Sequence, residues 1–267
     1  MIKVGLLGFG KTGKEVAREL LIDESVQLVC VFKYHDTHIA GKEVGSLLGT
    51  EPTGVKISLC NNFKEIIKKS KPDVMIDFAA KRSVMHYIDA IVRCSVDIVI
   101  CSTGYNETQF NMLKKYADKI GIIWAPNITD GINILSKLSK MVKDSWPEAD
   151  ISIIETHHSE KKGISGTAFK LAENLRDTEH IKVGRKMDSA REENEIIIHK
   201  VRLGGVIGQH QIIFGNPHQT ITLTHNTISR RAFGRGAIRV AHWIHGKKGF
   251  YTMDDVMNFN NNSKTSA

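Results

Sequence analysis

Ile154-Glu155-Thr156-His157-His158-Ser159-Glu160-Lys161 is followed after a short turn by Ser165-Gly166-Thr167-Ala168. Two adjacent imidazoles, a nearby ammonium and a hydroxyl-rich turn make a compact set of proton donors and anion-binding groups. Hydride addition to a C=C or C=N bond leaves a carbanion or amine that must take up a proton. An imidazole, with an unperturbed pKa of about 6.5, is a suitable donor near neutral pH. Lys161 can steady negative charge beside it. Ser165, Gly166 and Thr167 offer hydroxyls and backbone N–H groups, and these form a carboxylate nest if they open a helix. Phe169 to Leu175 reads as that helix. The plainer uses of the same residues are a polar surface and a helix cap. Zinc held by His157 and His158 is disfavoured, since adjacent residues rarely face one metal, and no metal is expected.

A second motif opens the chain. Gly8-Phe9-Gly10-Lys11-Thr12-Gly13 is a GxGxxG between an apolar run, Ile2 to Leu7, and a helical pattern, Lys11 to Leu21. The first glycine allows the tight turn, the second lets a pyrophosphate approach the backbone, and the third lets the helix pack closely. The helix N-terminus adds free N–H groups and a positive dipole end. After the second strand, Val26 to Phe32, the chain reads Lys33-Tyr34-His35, with no carboxylate before Asp36. A carboxylate there would bind the ribose hydroxyls of NAD, whereas Lys33 can pair with a 2′-phosphate and Tyr34 or His35 can stack on adenine. The expected cofactor is NADPH, with NADH possible.

Strands and helices must position these groups. Further strands are expected at Asp73 to Phe78, Asp97 to Cys101 and Gly121 to Ala125, and helices at Phe63 to Lys69, Val84 to Arg93 and Glu107 to Lys119. Repeated βα units of this length imply a doubly wound parallel sheet with ligands at the carboxyl ends of its strands. After Pro126 a long helix, Gly131 to Ser145, precedes β-rich segments at Asp150 to Thr156, Glu195 to Arg202, Gly208 to Phe214 and Gln219 to Thr224. These suggest a mixed or antiparallel sheet in a second domain. Arg235 to Ile244 is helical again and can pack back on the first domain. The fold class is therefore α/β, an N-terminal Rossmann-type sheet followed by an α+β domain. Residues 1–127, completed by 231–267, should bind the dinucleotide, and residues 128–230 should bind substrate and mediate oligomerisation.

Composition narrows the function. The 267 residues are 41% hydrophobic and 25% charged, as in ordinary globular proteins. No apolar run approaches the roughly 18 to 20 residues of a membrane span, and the N-terminus reads as no signal peptide. Cys30, Cys60, Cys94 and Cys101 are scattered without a CxxC pair, which fits a reducing cytoplasm. The net charge of +8 is spread along the chain, with no dense basic run interleaved with aromatics, so nucleic acid is not an expected partner.

From the glycine turn to Tyr251-Thr252-Met253-Asp254-Asp255-Val256, the chain resembles the dihydrodipicolinate reductase (4-hydroxy-tetrahydrodipicolinate reductase) family, the second committed step of the diaminopimelate route to lysine. The resemblance rests on Ile76-Asp77-Phe78, Ser102-Thr103-Gly104, Ala125-Pro126-Asn127-Ile128-Thr129 and the block from Glu155 through Lys161 to Ala168. Arg202-Leu203-Gly204, Gly208-Gln209-His210, His225 and Ser229-Arg230-Arg231-Ala232-Phe233 extend it. It implies His157 as general acid and Lys161 as catalytic lysine. It implies a small-molecule dicarboxylate held by His158, Ser165, Gly166, Thr167 and Arg230. It places Phe78, Ser102, Thr103, Gly104, Ala125, Pro126 and Asn127 near the nicotinamide, at a hinge between domains, and implies a homotetramer formed through the second sheet.

The chain also departs from the family. Where the family reads K-x-D-A-P-S-G-T, this chain has Lys161-Lys162-Gly163-Ile164-Ser165-Gly166-Thr167, one residue shorter and without the Asp and Pro. The loop loses its stiff proline, and its local field becomes more positive. The usual G-T-T-G appears as Cys101-Ser102-Thr103-Gly104, and D-F-T as Asp77-Phe78-Ala79. These departures keep open a paralogous reductase of the same fold acting on a different imine. A non-catalytic nucleotide-sensing or nucleic-acid-binding protein is the third reading.

Overall fold

The computed structural model describes residues 1–34, 38–80, 83–185 and 189–258. The chain divides into two compact units: Met1–Thr129 with the described residues from Arg230 onward, and Asp130–Ser229.

In the first unit, β1 (Ile2–Leu7) is buried on both faces except at Lys3, as a central parallel strand must be. It leads through the glycine turn into α1 (Lys11–Ile22), and β2 (Val26–Lys33) pairs parallel to β1. Then follow α2 (Val44–Leu48), β3 (Ile57–Leu59), α3 (Phe63–Ser70), β4 (Val74–Asp77), α4 (Ile88–Arg93), β5 (Asp97–Ile100), α5 (Glu107–Lys115) and β6 (Gly121–Trp124). The second unit holds α6 (Asp130–Ser145), β7 (Asp150–His157), α7 (Gly166–Glu173), β8 (Ile181–Val183), β9 (Ile196–Arg202), β10 (Gly208–Asn216) and β11 (Gln219–Thr227). The chain then returns to the first unit with α8 (Arg231–Ile244), β12 (Gly249–Thr252) and α9 (Met253–Val256).

The first unit is a Rossmann-like parallel sheet in the order β12-β6-β5-β4-β1-β2-β3. The order reverses between β1 and β4, so the crevice beyond their carboxyl ends is the natural ligand position. Apolar layers fill both sides of the sheet, one with Val16, Leu20, Val240 and Ile244, the other with Phe32, Phe63, Ile88 and Ile91. Two glycines let α8 pack closely, Gly234 against α1 and Gly236 against the segment after β6. A Cβ on Gly234 would sit 2.5 Å from the Glu19 side chain, and one on Gly236 would sit 2.2 Å from the Ile128 carbonyl. Buried Glu19 is answered from α8 by Arg231 and by Arg235 at 3.0 Å.

The second unit is a mixed sheet in the order β11-β10-β7-β9-β8. β10 runs antiparallel to β7 and β11, while β7, β9 and β8 run parallel. On one face Ile151, Ile153, Ile196, Ile198, Ile212 and Phe214 pack with Ile132 and Leu135 of α6 and Ala168 and Leu171 of α7. Glu155, His157 and His210 fall on this same face by the two-residue period of a strand.

Three local differences from the sequence expectation have physical causes. The helix expected over Val84 to Arg93 is interrupted: Ser83–His86 is a tight 3-10 turn, and Tyr87 leaves helical geometry at φ −125°. Its ring packs on Phe63 at 4.7 Å. The β12 edge strand differs from the sequence expectation, because its half-buried Gly-Phe-Tyr-Thr stretch lacks the continuous apolar run of a central strand. α7 begins at Gly166 rather than near Phe169, since Ser165 already takes extended cap geometry at ψ 127°.

The glycine turn carries a prediction. A Cβ on Gly13 would lie 2.1 Å from the carbonyl oxygen of Gly8, so Gly13→Ala must push α1 away from β1. The expected cost is about 1–3 kcal/mol, read as a lowered denaturation midpoint.

Candidate active site

Gly8 has φ +97°, and a Cβ there would meet the Phe78 carbonyl and the Ala79 nitrogen at 2.7–2.8 Å. The β1 and β4 loops therefore touch through a position that only glycine fills without strain. Gly10 caps α1 without a side-chain hydrogen bond, and the space where its Cβ would stand is open. Bare N–H groups of a helix N-terminus, with room for a ligand to reach the backbone, fit a dinucleotide pyrophosphate. Phe9 is buried, whereas Lys11 is exposed and Thr12 half-buried. Lys33 Nζ lies 3.4 Å from the Phe9 carbonyl, which brings its cation to the turn. Tyr34 is exposed and its ring stands 6.3 Å from that of His86. His35 and Asp36 lie outside the described residues.

The next loops converge on Asp77, fully buried at the end of β4. Its carboxylate accepts from the Ala79 N–H at 2.9 Å, from Ser83 Oγ at 2.7 Å and from Ser102 Oγ at 2.6 Å. Ser102 Oγ also meets the Tyr105 hydroxyl at 2.5 Å. Burial pushes the Asp77 pKa up, and these donors oppose it. The hydroxyl of Ser102 thus ties its loop to β4, while Thr103 and Gly104 face solvent, Gly104 at φ +86°. Beyond β6, Ala125 is buried and Pro126 and Asn127 are half-buried. Asn127 Oδ1 accepts from the Thr129 N–H at 3.1 Å and its hydroxyl at 2.8 Å.

In the second unit His157 and Ser165 come together with Glu155 and His210 on one face of the sheet. His157, 8% exposed, ends β7 with its Nδ1 against Glu155 Oε2. The contact is an ion pair outside aligned hydrogen-bond geometry; because a carboxylate only accepts, it favours the hydrogen on Nδ1 and leaves Nε2 to exchange a proton. Nε2 is directed at Gly208, where a Cβ would stand 3.2 Å away. His210 on β10 lies edge-on to His157 with ring centres 5.4 Å apart, and its Nε2 meets Ser165 Oγ at 3.2 Å. Ser165 caps α7 without using its side chain on the helix, and Gly166 is exposed there. Thr167 and Lys161 are half-buried, as is His158, whose carbonyl accepts from the Lys161 N–H at 3.0 Å. Arg230 stands at the N-cap of α8 and belongs to the first unit.

Electrostatics separates the imidazoles. Burial lowers the pKa of His157, Glu155 raises it, and the cation of Lys161 lowers it again. Burial, followed by the charges of His157, His225 and Lys161, pushes His210 down to about 3, so it is neutral at working pH. His225 is lowered by burial. Glu155, Arg202 and His210 had been assigned no function from the sequence. The available signal was a Glu at a position where strand alternation buries it. Among the described residues no group of three or more His, Cys, Asp or Glu could hold a metal.

A glycine-turn parallel sheet together with a buried acid–base cluster defines an NAD(P)H-dependent oxidoreductase. Residues 2–128 match the family model Dihydrodipicolinate reductase, N-terminus, and residues 131–257 match Dihydrodipicolinate reductase, C-terminus. The chain belongs to the dihydrodipicolinate reductase family. It is 33% identical over 270 residues to the 4-hydroxy-tetrahydrodipicolinate reductase of Methanocaldococcus jannaschii, covering 97% of this chain and 98% of the relative. The enzyme of that name from Archaeoglobus fulgidus is 34% identical, covering 93% and 96%. A dipicolinate-bound dihydrodipicolinate reductase from Paenisporosarcina sp. TG-14 superposes with a TM-score of 0.76 at 28% identity, covering 96% and 99%.

Asp77→Ala would leave two hydroxyls and a backbone N–H without their acceptor. A loss of about 2–4 kcal/mol is expected, measured by chemical denaturation with and without nucleotide.

Proposed function

We propose that the protein reduces 4-hydroxy-tetrahydrodipicolinate to tetrahydrodipicolinate in the diaminopimelate route to lysine, using NADPH in preference to NADH. The observation that carries this reading is the His157–Glu155 pair beside the capped start of α7. A proton donor and a carboxylate nest, the two devices that reduction of a cyclic imine dicarboxylate requires, lie next to each other.

When bound, a nicotinamide would supply the hydride to C4 of the ring, whose 4-hydroxyl leaves as water before the transfer. His157, directly or through a water, supplies the proton that the reduced ring takes up, and Lys161 steadies the charge that develops. The N–H groups at Gly166 and Thr167, with Ser165, receive one carboxylate; His158 is placed to meet the second carboxylate. The glycine turn from Gly8 to Gly13 receives the pyrophosphate, and Lys33 beside it favours a 2′-phosphate. Phe78, Ser102 to Gly104 and Ala125 to Asn127 face the nicotinamide half. The first unit is thus the dinucleotide domain and the second the substrate domain.

The outward face of the second sheet presents Ile154, Ile213, Thr222 and Thr224 and supports assembly as a homotetramer through that sheet. The free cysteines support a cytoplasmic setting. No helix among the described residues is long and apolar enough to cross a membrane, and neither a membrane nor a nucleic acid is a proposed partner.

His157→Gln and Lys161→Met, assayed separately by NADPH oxidation with the pathway substrate, should each lower kcat by about 10²-fold or more. A loss under about tenfold in both overturns the assignment. Wild-type protein that binds NADPH but leaves this substrate unreduced would point to a different imine. Lys33→Ala should raise the KM for NADPH about tenfold and leave that for NADH unchanged; equal effects on both would remove the cofactor argument.

A further inference from the structure

Glu155 is 0% exposed, and among the described residues its carboxylate meets His157, Arg202 and the Ser165 N–H. Oε2 faces His157 Nδ1. Oε1 accepts from Arg202 Nη2 at 2.8 Å and from the Ser165 N–H at 3.3 Å. Four of the five N–H groups of the Arg202 guanidinium find acceptors. Its Nε donates to the Lys161 carbonyl at 3.0 Å, Nη2 also to the Gly163 carbonyl at 2.6 Å, and Nη1 to the Val201 carbonyl at 2.7 Å. Register makes this possible, because Arg202 on β9 lies opposite His157 on β7 and two residues from the partner of Glu155.

One pair, a buried carboxylate and a partly exposed guanidinium, therefore reaches three parts of the site: the imidazole, the backbone on either side of Lys162, and the cap of α7. We infer that Glu155 and Arg202 are positioning residues for the reduction, Glu155 fixing the ring and exchanging nitrogen of His157 and Arg202 clamping the shortened Lys161–Gly163 loop. This rests on the roles proposed for His157 and Lys161. The carboxylate keeps the hydrogen on Nδ1 and favours the protonated ring that a general acid needs, against burial and the Lys161 cation. Arg202 supplies the counter-charge that a buried carboxylate requires. Its planar fork reaches acceptors on separate segments at once, which a lysine cannot do. The charged and titratable groups facing His157 are Glu155 on its own strand, Arg202 on β9, Lys161 on the loop and His210 on β10, with His225 on β11 acting on His210.

The two residues have different signatures. In Glu155→Gln the acid loses the group that raises its pKa, so the fall of kcat/KM on the alkaline side should move to lower pH by about one unit. Its kcat should drop about tenfold or more, with NADPH affinity within about twofold of wild type. In Arg202→Lys the positive charge stays but the loop is released, so that alkaline limb should hold within about 0.3 unit while the substrate KM rises about tenfold. A purely structural role would lower stability in both without separating these readouts. Nitrogen NMR of the full-length wild type, above the His157 pKa, should show the Nδ1–H tautomer. A dominant Nε2–H form, an unmoved limb in Glu155→Gln, or an unchanged KM in Arg202→Lys overturns the inference. His157→Gln separates the two levels. Little loss there overturns the acid assignment itself; a large loss with an unmoved limb in Glu155→Gln overturns only the positioning role.

Discussion

A carboxylate without access to water must be surrounded by donors, and the arrangement of the second unit follows from how Glu155 meets that demand. The desolvation penalty of an isolated buried ion is several kcal/mol after relaxation, so a strand carrying such a residue is stable only if cations or N–H groups reach it. Here they come from three places: a guanidinium on the neighbouring parallel strand, an imidazole two residues on, and the backbone of a helix cap. Each of these is also a group that the proposed reaction uses or that holds one. Satisfying the buried charge and assembling the site are the same event.

The first unit is organised on the same logic around a different residue. Asp77 gathers the loops after β4 and β5 by accepting from Ser83, Ser102 and Ala79, while glycine at position 8 lets the β1 and β4 loops come into contact. The loss of the family's threonine at Ala79 leaves this network intact, because Ala79 contributes a backbone N–H. Ser102 contributes its hydroxyl inward, to Asp77 and Tyr105.

Much of this was legible in the residues, for identifiable reasons. The alternation of buried apolar runs with amphipathic helices is a long-range pattern, and it marked β1, β2, β4, β5 and β6 within a residue or so of their ends. α2 is barely one turn long, and β3, β8 and β12 are only partly buried, so they lack the continuous apolar run that marks the comparably short β4, β5 and β6. Tyr87 broke an otherwise helical pattern through an aromatic contact with Phe63 that local spacing cannot encode. In the site, His157, Lys161 and the Ser165-Gly166-Thr167 turn stand close in sequence and were recognisable as a set. Arg202 lies far along the chain from Glu155 and meets it only through the parallel pairing of β7 with β9. A register of that kind is a tertiary fact, so the sequence offered His157 as the proposed acid and not the arginine that reaches its neighbour Glu155.

The shortened loop can be understood in these terms. A loop that loses proline gains conformations in the unfolded chain and freedom in the folded one, and the lysine it carries would be poorly placed without another constraint. Gly163 at φ +66° turns the chain within the shorter span, and Arg202 takes up the two carbonyls that the turn exposes. Ser165 still caps α7 and Gly166 still opens it, so the deletion is absorbed before the carboxylate nest begins. What changes is the charge: with no aspartate in the loop, Lys161 and Lys162 stand beside a guanidinium already committed to Glu155. The field at this end of the sheet is more positive as a result, which suits a doubly anionic ligand. The departure that raised the question of a different substrate thus leaves the capped start of α7 in place.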